Sequence, residues 1–371
     1  MSRLKFLIQR ARRMDWKKMW ATAEMLHKKT GKSRLWLLTD MLRCAVKYGA
    51  GYMDYKIAEM YRLTPAQRET VITRAMSNSI VARMNDKAYW HFFDDKAEFN
   101  TLFAAHINRA WLDLRKASEA DYEKWKSERM GYVMGKPIDG SSGFGIRKFK
   151  AEELPGLEAL KAQGVTLLEE CIRQHPALDA ICPTSVNTLR IATLMGDKKQ
   201  GIVYAFIRIG AGAVVDNVDQ GGMAAPIDID TGVIRTVGAN KNGDRFEFHP
   251  ITGTRIPGTQ IPYWEEAKAM CLEAAKVVPQ LRFIAWDVAV TPDGPVFIEG
   301  NSFPSHAVPQ FAAHYPDGIG IVPRFREFID ICNEYFFAKP PSFQKRRGFC
   351  RSHASARRPL SRSPRRARTC R

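Results

Sequence analysis

The sequence predicts an α+β fold in which a helical N-terminal region precedes parts that mix strands with helices. Apolar residues recur at helical spacing through the first residues, up to about position 80. From about residue 85, short β-rich runs broken by glycine replace that pattern. Between residues 263 and 278 a helical apolar stripe returns, so the second half combines strands with helices.

The first predicted helix carries an apolar stripe of Trp16, Met19, Trp20, Ala23 and Leu26, set among lysines and arginines. A helix packed on the body of the protein is the favoured interpretation. The stripe also fits a helix lying on an anionic membrane surface, which would make the basic N-terminus a weak membrane contact. Two further helices are predicted over residues 35–48 and 65–77.

Three pairs of predicted strands follow. NTLRIATLM and GIVYAFIRIG flank GDKKQ, and APIDID and GVIRTVG flank another turn. The last pair, FIAWDVAV and PVFIEGN, flanks TPDG, a typical turn sequence. Because each pair is joined by a short turn, antiparallel hairpins are expected.

The formal charge of +18 is concentrated at the two ends of the chain. Residues 1–35 carry a net +9 and residues 345–371 a net +11, so the rest is close to neutral and no specific nucleic-acid partner is expected. The basic tail is low in large apolar residues, which predicts disorder, although a basic arm for RNA or acidic lipid fits the same composition. Seven scattered cysteines, no secretory signal and no membrane-spanning run favour a cytoplasmic protein.

Three oxygen-bearing side chains come together if FIAWDVAV and PVFIEGN form one hairpin. Glu299 and Asn301 then point to the same face, and a turn centred on Asp293 places Asp287 opposite Glu299. Two directly opposed carboxylates repel each other, and a divalent cation relieves that repulsion. A ligand set made only of oxygens suits magnesium better than zinc. Solvated carboxylates on an open sheet face are the alternative.

A glycine- and serine-rich loop follows Lys136 in the segment GKPIDGSSGFG. Glycines such as Gly143 let backbone amides approach phosphate oxygens. The hydroxyls of Ser141 and Ser142 add further hydrogen-bond donors. No Gly-Lys-Ser/Thr sequence closes the loop, so this is not the P-loop pattern. A plain surface loop is the alternative.

Two weaker signals lie on either side of this loop. The apolar run LLEE ends in Glu169 and Glu170, which suit hydrogen bonds to an adenine edge and a ribose but also suit a solvated helix face. Upstream, FFDDKAEF places Lys96 after Asp95. Asp95 there is typical of an acid that caps a helix N-terminus.

The order of these parts resembles the ATP-grasp superfamily, including the D-alanine–D-alanine ligases. The closer resemblance is to the sugar-transfer-associated ATP-grasp family, over roughly residues 54–335. The blocks that carry it are FDDKAEF, KPIDGSSGFG, SVNTLRIATL, VDNVDQGG, HPITGTRIPGTQIPYW and WDVAVTPDGPVFIEGNSFPS.

The resemblance implies an ATP-grasp fold of two α/β subdomains that enclose ATP, with magnesium, or manganese in its place, as the metal. It implies phosphate contacts from Lys96, Lys136 and the loop of Ser141, Ser142 and Gly143. It places Glu169 and Glu170 at the adenine, and Asp287, Glu299 and Asn301 on the metal. Arg190 would face the γ-phosphate or an acyl phosphate, with Arg208 as the alternative. Asn187, Asn217, Asp219, Gly221 and Gly222 are implied near the substrate, and among the histidines His306 is the nearest candidate.

The implied activity is a carboxylate–amine ligase acting on small molecules, with polysaccharide or envelope metabolism as its setting. A phosphotransferase on the same fold and a non-catalytic nucleotide-binding scaffold are the alternatives. Replacing Glu299 by Gln or Lys136 by Ala is expected to abolish turnover and leave the fold intact. The predicted parts are a helical region (1–85), a first subdomain (86–165), a second subdomain (166–338) and a tail (339–371). No oligomeric state is predicted.

Overall fold

The computed structural model describes residues 15–138, 145–212, 216, 218 and 221–331. The predicted tail therefore lies outside the described residues. Helices and two antiparallel sheets alternate along the described chain, which confirms the predicted α+β class. Across these residues, no helix has the length and apolar character needed to cross a membrane.

From residue 15 onward, the helical N-terminal region contains the α-helices α1 (Trp16–Thr30), α2 (Arg34–Lys47), α3 (Tyr52–Ile57), α4 (Pro65–Arg68) and α5 (Arg74–Met84). The single helix predicted over residues 65–77 is wrong, because the chain leaves helical geometry between α4 and α5. Thr64 caps α4 and Thr73 precedes α5. Threonine is among the residues preferred at the N-cap of a helix, so each marks a separate helix start.

Helix α1 packs on the body of the protein, as the favoured interpretation of its stripe predicts. Met19, Ala23 and Leu26 are buried in one cluster with residues of α2 and α3. Trp16 and Trp20 remain half exposed, at 50% and 56%. Part of the predicted stripe therefore belongs to the core, and part lies on the surface.

The smaller sheet has four antiparallel strands in the order β1–β4–β2–β3. Their bounds are β1 (Trp111–Asp113), β2 (Tyr132–Lys136), β3 (Arg147–Lys150) and β4 (Leu167–Glu170). Helices α8 (Glu119–Ser127) and α9 (Leu157–Ala162) cover one face and bury Tyr122, Trp125 and Leu160 against it. The predicted boundary at residue 165 passes through this sheet, and the division into subdomains stays a prediction.

The larger sheet has seven antiparallel strands in the order β11–β10–β5–β6–β7–β8–β9. Their bounds are β5 (Leu189–Met195), β6 (Gln200–Ile209), β7 (Met223–Pro226), β8 (Gly238–Ala239), β9 (Arg245–Phe246), β10 (Phe283–Thr291) and β11 (Gly294–Asn301). Two predicted hairpins, β5–β6 and β10–β11, are confirmed. The pair around residues 225–237 is reduced to a single bridge, Ile227 with Ile234.

Both faces of the larger sheet are covered by helices. One face packs against α6 (His91–Asp94), α7 (Lys96–Leu102), α10 (Pro176–Asp179) and α11 (Trp264–Ala274). The other packs against α5 and α12 (Val322–Arg326). Short 3-10 helices span Met60–Arg62, Lys87–Tyr89, Ala104–His106, Ala151–Glu153, Val308–Gln310 and Ala312–His314. The strands that carry the candidate site are therefore supported on both sides.

An aromatic cluster fixes the last hairpin against α6 and α7. The rings of Phe93, Phe99 and Phe103 surround Trp286 of β10 and Phe297 of β11, with centroid separations between 4.8 and 6.5 Å. Each such pair adds about 0.5–1.5 kcal/mol beyond the area that it buries. Because α7 begins at Lys96, this packing also places that lysine beside the hairpin.

Candidate active site

The β10–β11 hairpin places Asp287 directly opposite Glu299, as its sequence predicts. The route to that register differs from the expected one. Thr291 pairs with Gly294, so the turn is centred between Pro292 and Asp293 rather than on Asp293. An irregularity then leaves Ile298 without a partner and brings Glu299 opposite Asp287. A β-bulge thus restores the pairing that a shorter turn would have lost.

Glu299 and Asn301 lie on the same face of β11, with Gly300 between them on the opposite face. A Cβ atom on Gly300 would lie 2.4 Å from the Phe93 ring, so glycine lets the aromatic cluster approach this strand. Asn301 donates its Nδ2 to the carbonyl oxygen of Ala285 at 3.3 Å, which leaves its Oδ1 as an acceptor. Within the described chain, no side chain or amide donates to the Glu299 carboxylate.

Arg190 and Arg208 both reach Asp287, so the two arginines between which the sequence left a choice lie at one carboxylate. Arg190 is the partner of Asp287 in the β5–β10 ladder and donates its Nη2 to Oδ2 at 2.9 Å. Arg208, on β6, donates its Nη2 to the same oxygen at 2.9 Å and its Nε to Thr188 Oγ1 at 2.8 Å. Two guanidinium groups thus neutralise the carboxylate that is opposite Glu299.

Charge and burial act together on this group of side chains. Burial raises the pKa of Glu299, the charge of Asp287 raises it further, and the ammonium of Lys96 opposes both. Burial disfavours the charge of Arg208, but the carboxylates around it, led by Asp216 and Asp287, outweigh burial and raise its pKa. Glu299 is therefore the carboxylate whose charge is least compensated at the site.

These residues fit a magnesium ion. The Glu299 carboxylate accepts no hydrogen bond from the described residues, Asp287 stands opposite it, and Asn301 offers a neutral oxygen on the same face. Hard divalent cations prefer such an all-oxygen set. Among the described residues, no group of three or more His, Cys, Asp or Glu side chains is arranged to hold a metal, and the hairpin itself offers two carboxylates and one amide. The role of the three residues as metal ligands remains a prediction.

The second carboxylate cluster surrounds Glu169 in the smaller sheet. Glu169 is 2% exposed and accepts from Lys136 Nζ at 2.5 Å, from Arg109 Nε at 3.1 Å and from Asn100 Nδ2 at 2.9 Å. Burial alone would raise the pKa of Glu169, but Lys136 and Arg109 outweigh it and hold that pKa well below its usual range. Its side-chain oxygens are therefore already occupied, unlike those of Glu299.

Arg109 links the two sheets, and the sequence analysis missed it. Besides Glu169, it donates its Nη1 to the carbonyl oxygen of Phe297 on β11 at 2.6 Å. No sequence motif around NRAW predicts these contacts, because the partners of Arg109 are 60 and 188 positions away in the chain.

Glu170, the neighbour of Glu169, is half-exposed and accepts from Arg129 Nη1 at 2.6 Å and from the amide of Ala110 at 2.8 Å.

Lys96 lies at the N-terminus of α7, where Asp95 caps the helix as its sequence predicts. Asp95 Oδ1 accepts from the amides of Ala97 at 2.9 Å and Glu98 at 3.1 Å. Lys96 Nζ is 3.5 Å from the carbonyl oxygen of Ile138, at the start of the glycine- and serine-rich segment. The lysine thus lies near both Ile138 and Glu299. Ser141, Ser142 and Gly143 themselves lie outside the described residues.

Asn187 and His306 have partners within the fold. Asn187 is fully buried and donates its Nδ2 to the carbonyl oxygens of Leu178 at 2.9 Å and Cys182 at 3.0 Å. His306 Nε2 is hydrogen-bonded to Asp54 at 2.8 Å and joins the segment after β11 to α3. Both contacts support a structural role. Asn217 and Asp219 lie outside the described residues, whereas Gly221 takes a φ of +95° that glycine tolerates readily.

The larger sheet thus carries acidic and amide side chains on one hairpin, and the smaller sheet carries Lys136 on an inner strand. The model of the family described as sugar-transfer associated ATP-grasp matches residues 75–328, which is more than half of the chain. The chain belongs to this family. The resemblance stated from the sequence blocks, and the fold that it implies, are thereby confirmed.

Solved structures of ATP-grasp enzymes are among the structural matches. A D-alanine–D-alanine ligase from Coxiella burnetii matches with 12% identity and a TM-score of 0.39 over 66% of this chain and 58% of its own. A D-cycloserine synthetase matches with 12% identity and a TM-score of 0.39 over 68% and 78%. The biotin carboxylase of Campylobacter jejuni matches with 12% identity and a TM-score of 0.40 over 68% and 48%.

The aligned region thus spans little more than half of the Coxiella ligase. No curated protein matches this chain in sequence.

Proposed function

We propose that this protein is an ATP-dependent ligase that activates a carboxylate as an acyl phosphate and joins it to an amine or a similar nucleophile. The observation that carries the proposal is the pair of buried Asp287 and half-buried Glu299 beside two arginines and Lys96. Such a concentration of opposite charges in a partly buried site suits a ligand that is itself strongly charged. Family membership makes ATP that ligand.

Glu299, Asp287 and Asn301 would hold the magnesium ions of bound ATP. The metal would neutralise phosphate oxygens as charge moves toward the leaving ADP. Asp287 is already paired with Arg190 and Arg208, so the three side chains would share one network with the phosphates. One or both guanidinium groups would then be available to stabilise the transferred phosphoryl group.

Lys96 would contact the triphosphate from the N-terminus of α7. Lys96 lies near both Ile138 and Glu299, which supports a contact between its ammonium and phosphates bound beside the proposed metal ligands. We propose that Ser141, Ser142 and Gly143 complete this contact.

Lys136 has a second role available, because its ammonium is paired with Glu169 inside the smaller sheet. Lys136 would contact a phosphate group while it stays paired with Glu169. Glu169 itself would meet a nucleotide through its backbone, since its carboxylate is occupied, whereas the half-exposed Glu170 could reach a ribose.

The chemistry needs positioning and charge neutralisation rather than a protein nucleophile. A substrate carboxylate oxygen attacks the γ-phosphorus, and the bond from that phosphorus to the ADP oxygen breaks. The amine then attacks the acyl carbon, inorganic phosphate leaves, and the amine loses a proton. Arg190 and Arg208, which both contact Asp287, would stabilise negative charge in both steps. We place the reaction in the cytoplasm, in cell-surface polysaccharide or envelope metabolism.

A screen for magnesium-dependent ADP release tests this function. Purified protein would be incubated with ATP, magnesium and pairs drawn from amino acids, amino sugars and sugar acids, and the products would be identified by mass spectrometry. The proposal predicts ADP, phosphate and an amide product. A stable phosphorylated acceptor would instead establish a phosphotransferase, and nucleotide binding without turnover by any pair would favour a scaffold. Glu265→Gln, on the exposed surface of α11, serves as the matched control for Glu299→Gln.

A further inference from the structure

The outer surface of α1 and α2 carries large apolar side chains that remain in contact with solvent. On α1, Trp16 and Trp20 lie one helical turn apart and are 50% and 56% exposed. On α2, Leu35 and Val46 are 70% and 46% exposed. Side chains separated by whole helical turns lie on the same side of a helix, so each helix presents an apolar stripe to solvent.

The connection between the two helices sets these stripes side by side. Gly31 ends α1 with a φ of +71°, and α2 begins at Arg34, so the short link makes the helices run antiparallel. Arg34 Nη2 donates to Glu24 Oε1 at 3.1 Å across the pair. Glu24 follows Trp20 by one turn on α1, and Leu38 follows Arg34 by one turn on α2. The ion pair therefore marks one end of a seam along which the tryptophans of α1 run beside the apolar side chains of α2.

The inner sides of both helices are anchored in the fold. Met19 and Leu26 of α1 are buried in one cluster with Leu37 and Met41 of α2, and Leu38 packs partly against it. The exposed stripes are thus held on a packed support. Exposed apolar stripes that lie together mark a surface that meets another molecule or a membrane.

The surface formed by α1 and α2 is positively charged. Residues 15–47 carry eight Lys or Arg and three acidic side chains, a net charge of +5. One of these acids, Asp40, is buried in an ion pair with Arg68. Among the described residues, the neighbouring segments contribute Glu59 and Glu69 to ion pairs with these bases. Positive charge therefore stays in excess around the apolar stripes.

Several of the bases stand directly beside the apolar side chains. Lys17 follows Trp16 in the chain, and Lys28 lies two turns beyond Trp20 on α1. Lys32, in the link, and Arg43, on α2, are likewise exposed. Immediately upstream, residues 1–14 contain no acidic residue and add Arg3, Lys5, Arg10, Arg12 and Arg13.

Charge separates the partners that an apolar surface of this kind suits. A second copy of the chain would bring the same positive surface against this one, and the like charges would repel. An anionic lipid surface supplies the opposite charge over a wide area. Tryptophan also suits the headgroup level of a bilayer, because its ring is apolar and its N–H is polar.

We propose that α1 and α2 form a peripheral docking surface for a bilayer that contains anionic phospholipids. The exposed apolar side chains would enter the headgroup region, and the lysines and arginines beside them would contact lipid phosphates. None of these residues belongs to the candidate active site, so membrane docking and the proposed ligase activity can be tested separately.

Co-sedimentation of the full chain with lipid vesicles, without ATP or magnesium, tests this surface. Vesicles of phosphatidylcholine are compared with vesicles that also contain phosphatidylglycerol. We expect preferential binding to the anionic vesicles, and this binding should weaken as the salt concentration rises. Trp20→Ser should lower the partition coefficient about tenfold, and Lys17→Glu should lower it about fivefold.

Two variants outside the helical N-terminal region serve as matched controls. Phe248→Ser removes an aromatic ring that is 53% exposed, and Lys276→Glu reverses an exposed charge on α11. Both should bind vesicles as the wild type does. The basic residues 345–371 are present in every variant, so a loss confined to Trp20→Ser and Lys17→Glu cannot come from them.

Vesicles that contain brominated lipid add a second measurement. Contact with the bilayer should quench the tryptophan fluorescence of the wild type and of Phe248→Ser more than that of Trp20→Ser. If Trp20→Ser lowers the melting temperature strongly, Lys17→Glu decides the outcome, since an acidic residue suits the first turn of a helix. Equal vesicle binding by all variants, or no binding to anionic vesicles, would overturn the proposal. Dimerisation that Trp20→Ser abolishes, without vesicle binding, would assign the surface to a second copy and overturn it as well.

Discussion

The two carboxylate clusters, one in each sheet, differ in how completely their charge is neutralised. Glu169 in the smaller sheet accepts from a lysine, an arginine and an asparagine. Glu299 in the larger sheet faces another carboxylate and accepts from none of the described side chains. A saturated buried carboxylate holds structure together, whereas an unsaturated one has capacity for a cation. The comparison therefore predicts a structural role for the Glu169 carboxylate and a cation-binding role for the Glu299 carboxylate.

Glu299→Gln should give the largest effect on activity. The amide keeps the shape of the side chain but removes the charge that the metal needs, so we expect kcat to fall at least about 100-fold. The melting temperature should stay the same or rise, because repulsion with Asp287 disappears. Magnesium-dependent ADP release and a thermal melt measure both quantities. Full turnover in this variant would show that Glu299 is not part of the site.

Lys96 and Lys136 should respond differently to replacement. Lys96→Met should lower turnover about tenfold or more and leave stability nearly unchanged. Lys136→Ala should also lose on the order of 3 kcal/mol of unfolding free energy, because it leaves a buried carboxylate with one charged partner fewer. The expectation that Lys136→Ala leaves the fold intact is therefore revised. Urea titration of both variants, followed by fluorescence, would reveal any such difference.

Glu169→Gln should destabilise the protein by about 4 kcal/mol, since Lys136 and Arg109 both lose a buried counter-charge. Glu170→Gln is the matched control, because its half-exposed ion pair with Arg129 should contribute less than about 1 kcal/mol. Denaturant titration gives both values. Similar losses for the two variants would contradict the distinction between a saturated core and a surface pair.

His314 sets the pH range in which these comparisons are best made. Burial lowers its pKa to about 4, below the ordinary value of 6.5, so between these values the unfolded chain binds more protons. Stability is then fully present above pH 6.5 and falls as the pH drops toward 4, by an amount on the order of 3 kcal/mol. Thermal melts of the wild type and His314→Gln across this range should show a flatter dependence in the variant. Parallel curves would rule out His314 as the cause.

Local patterns in the sequence were enough to predict the helical start, the two main hairpins and the approach of Asp287 to Glu299. Strand alternation determines which side chains share a face, and this holds even though the turn and the bulge at Ile298 were not foreseen. The role of Arg109 could not be predicted, because its contacts join residues far apart in the chain. Nor could the pairing of Lys136 with Glu169, which depends on β2 and β4 being neighbours.

The central claim is that the β10–β11 hairpin binds a divalent metal together with ATP. Manganese binding followed by electron paramagnetic resonance, in the presence of ATP, tests it most directly, with the wild type compared with Glu299→Gln and the Glu265→Gln control. We expect the wild type and the control to immobilise protein-bound manganese and Glu299→Gln to lose most of that signal. Equal manganese binding by all three proteins would contradict the claim.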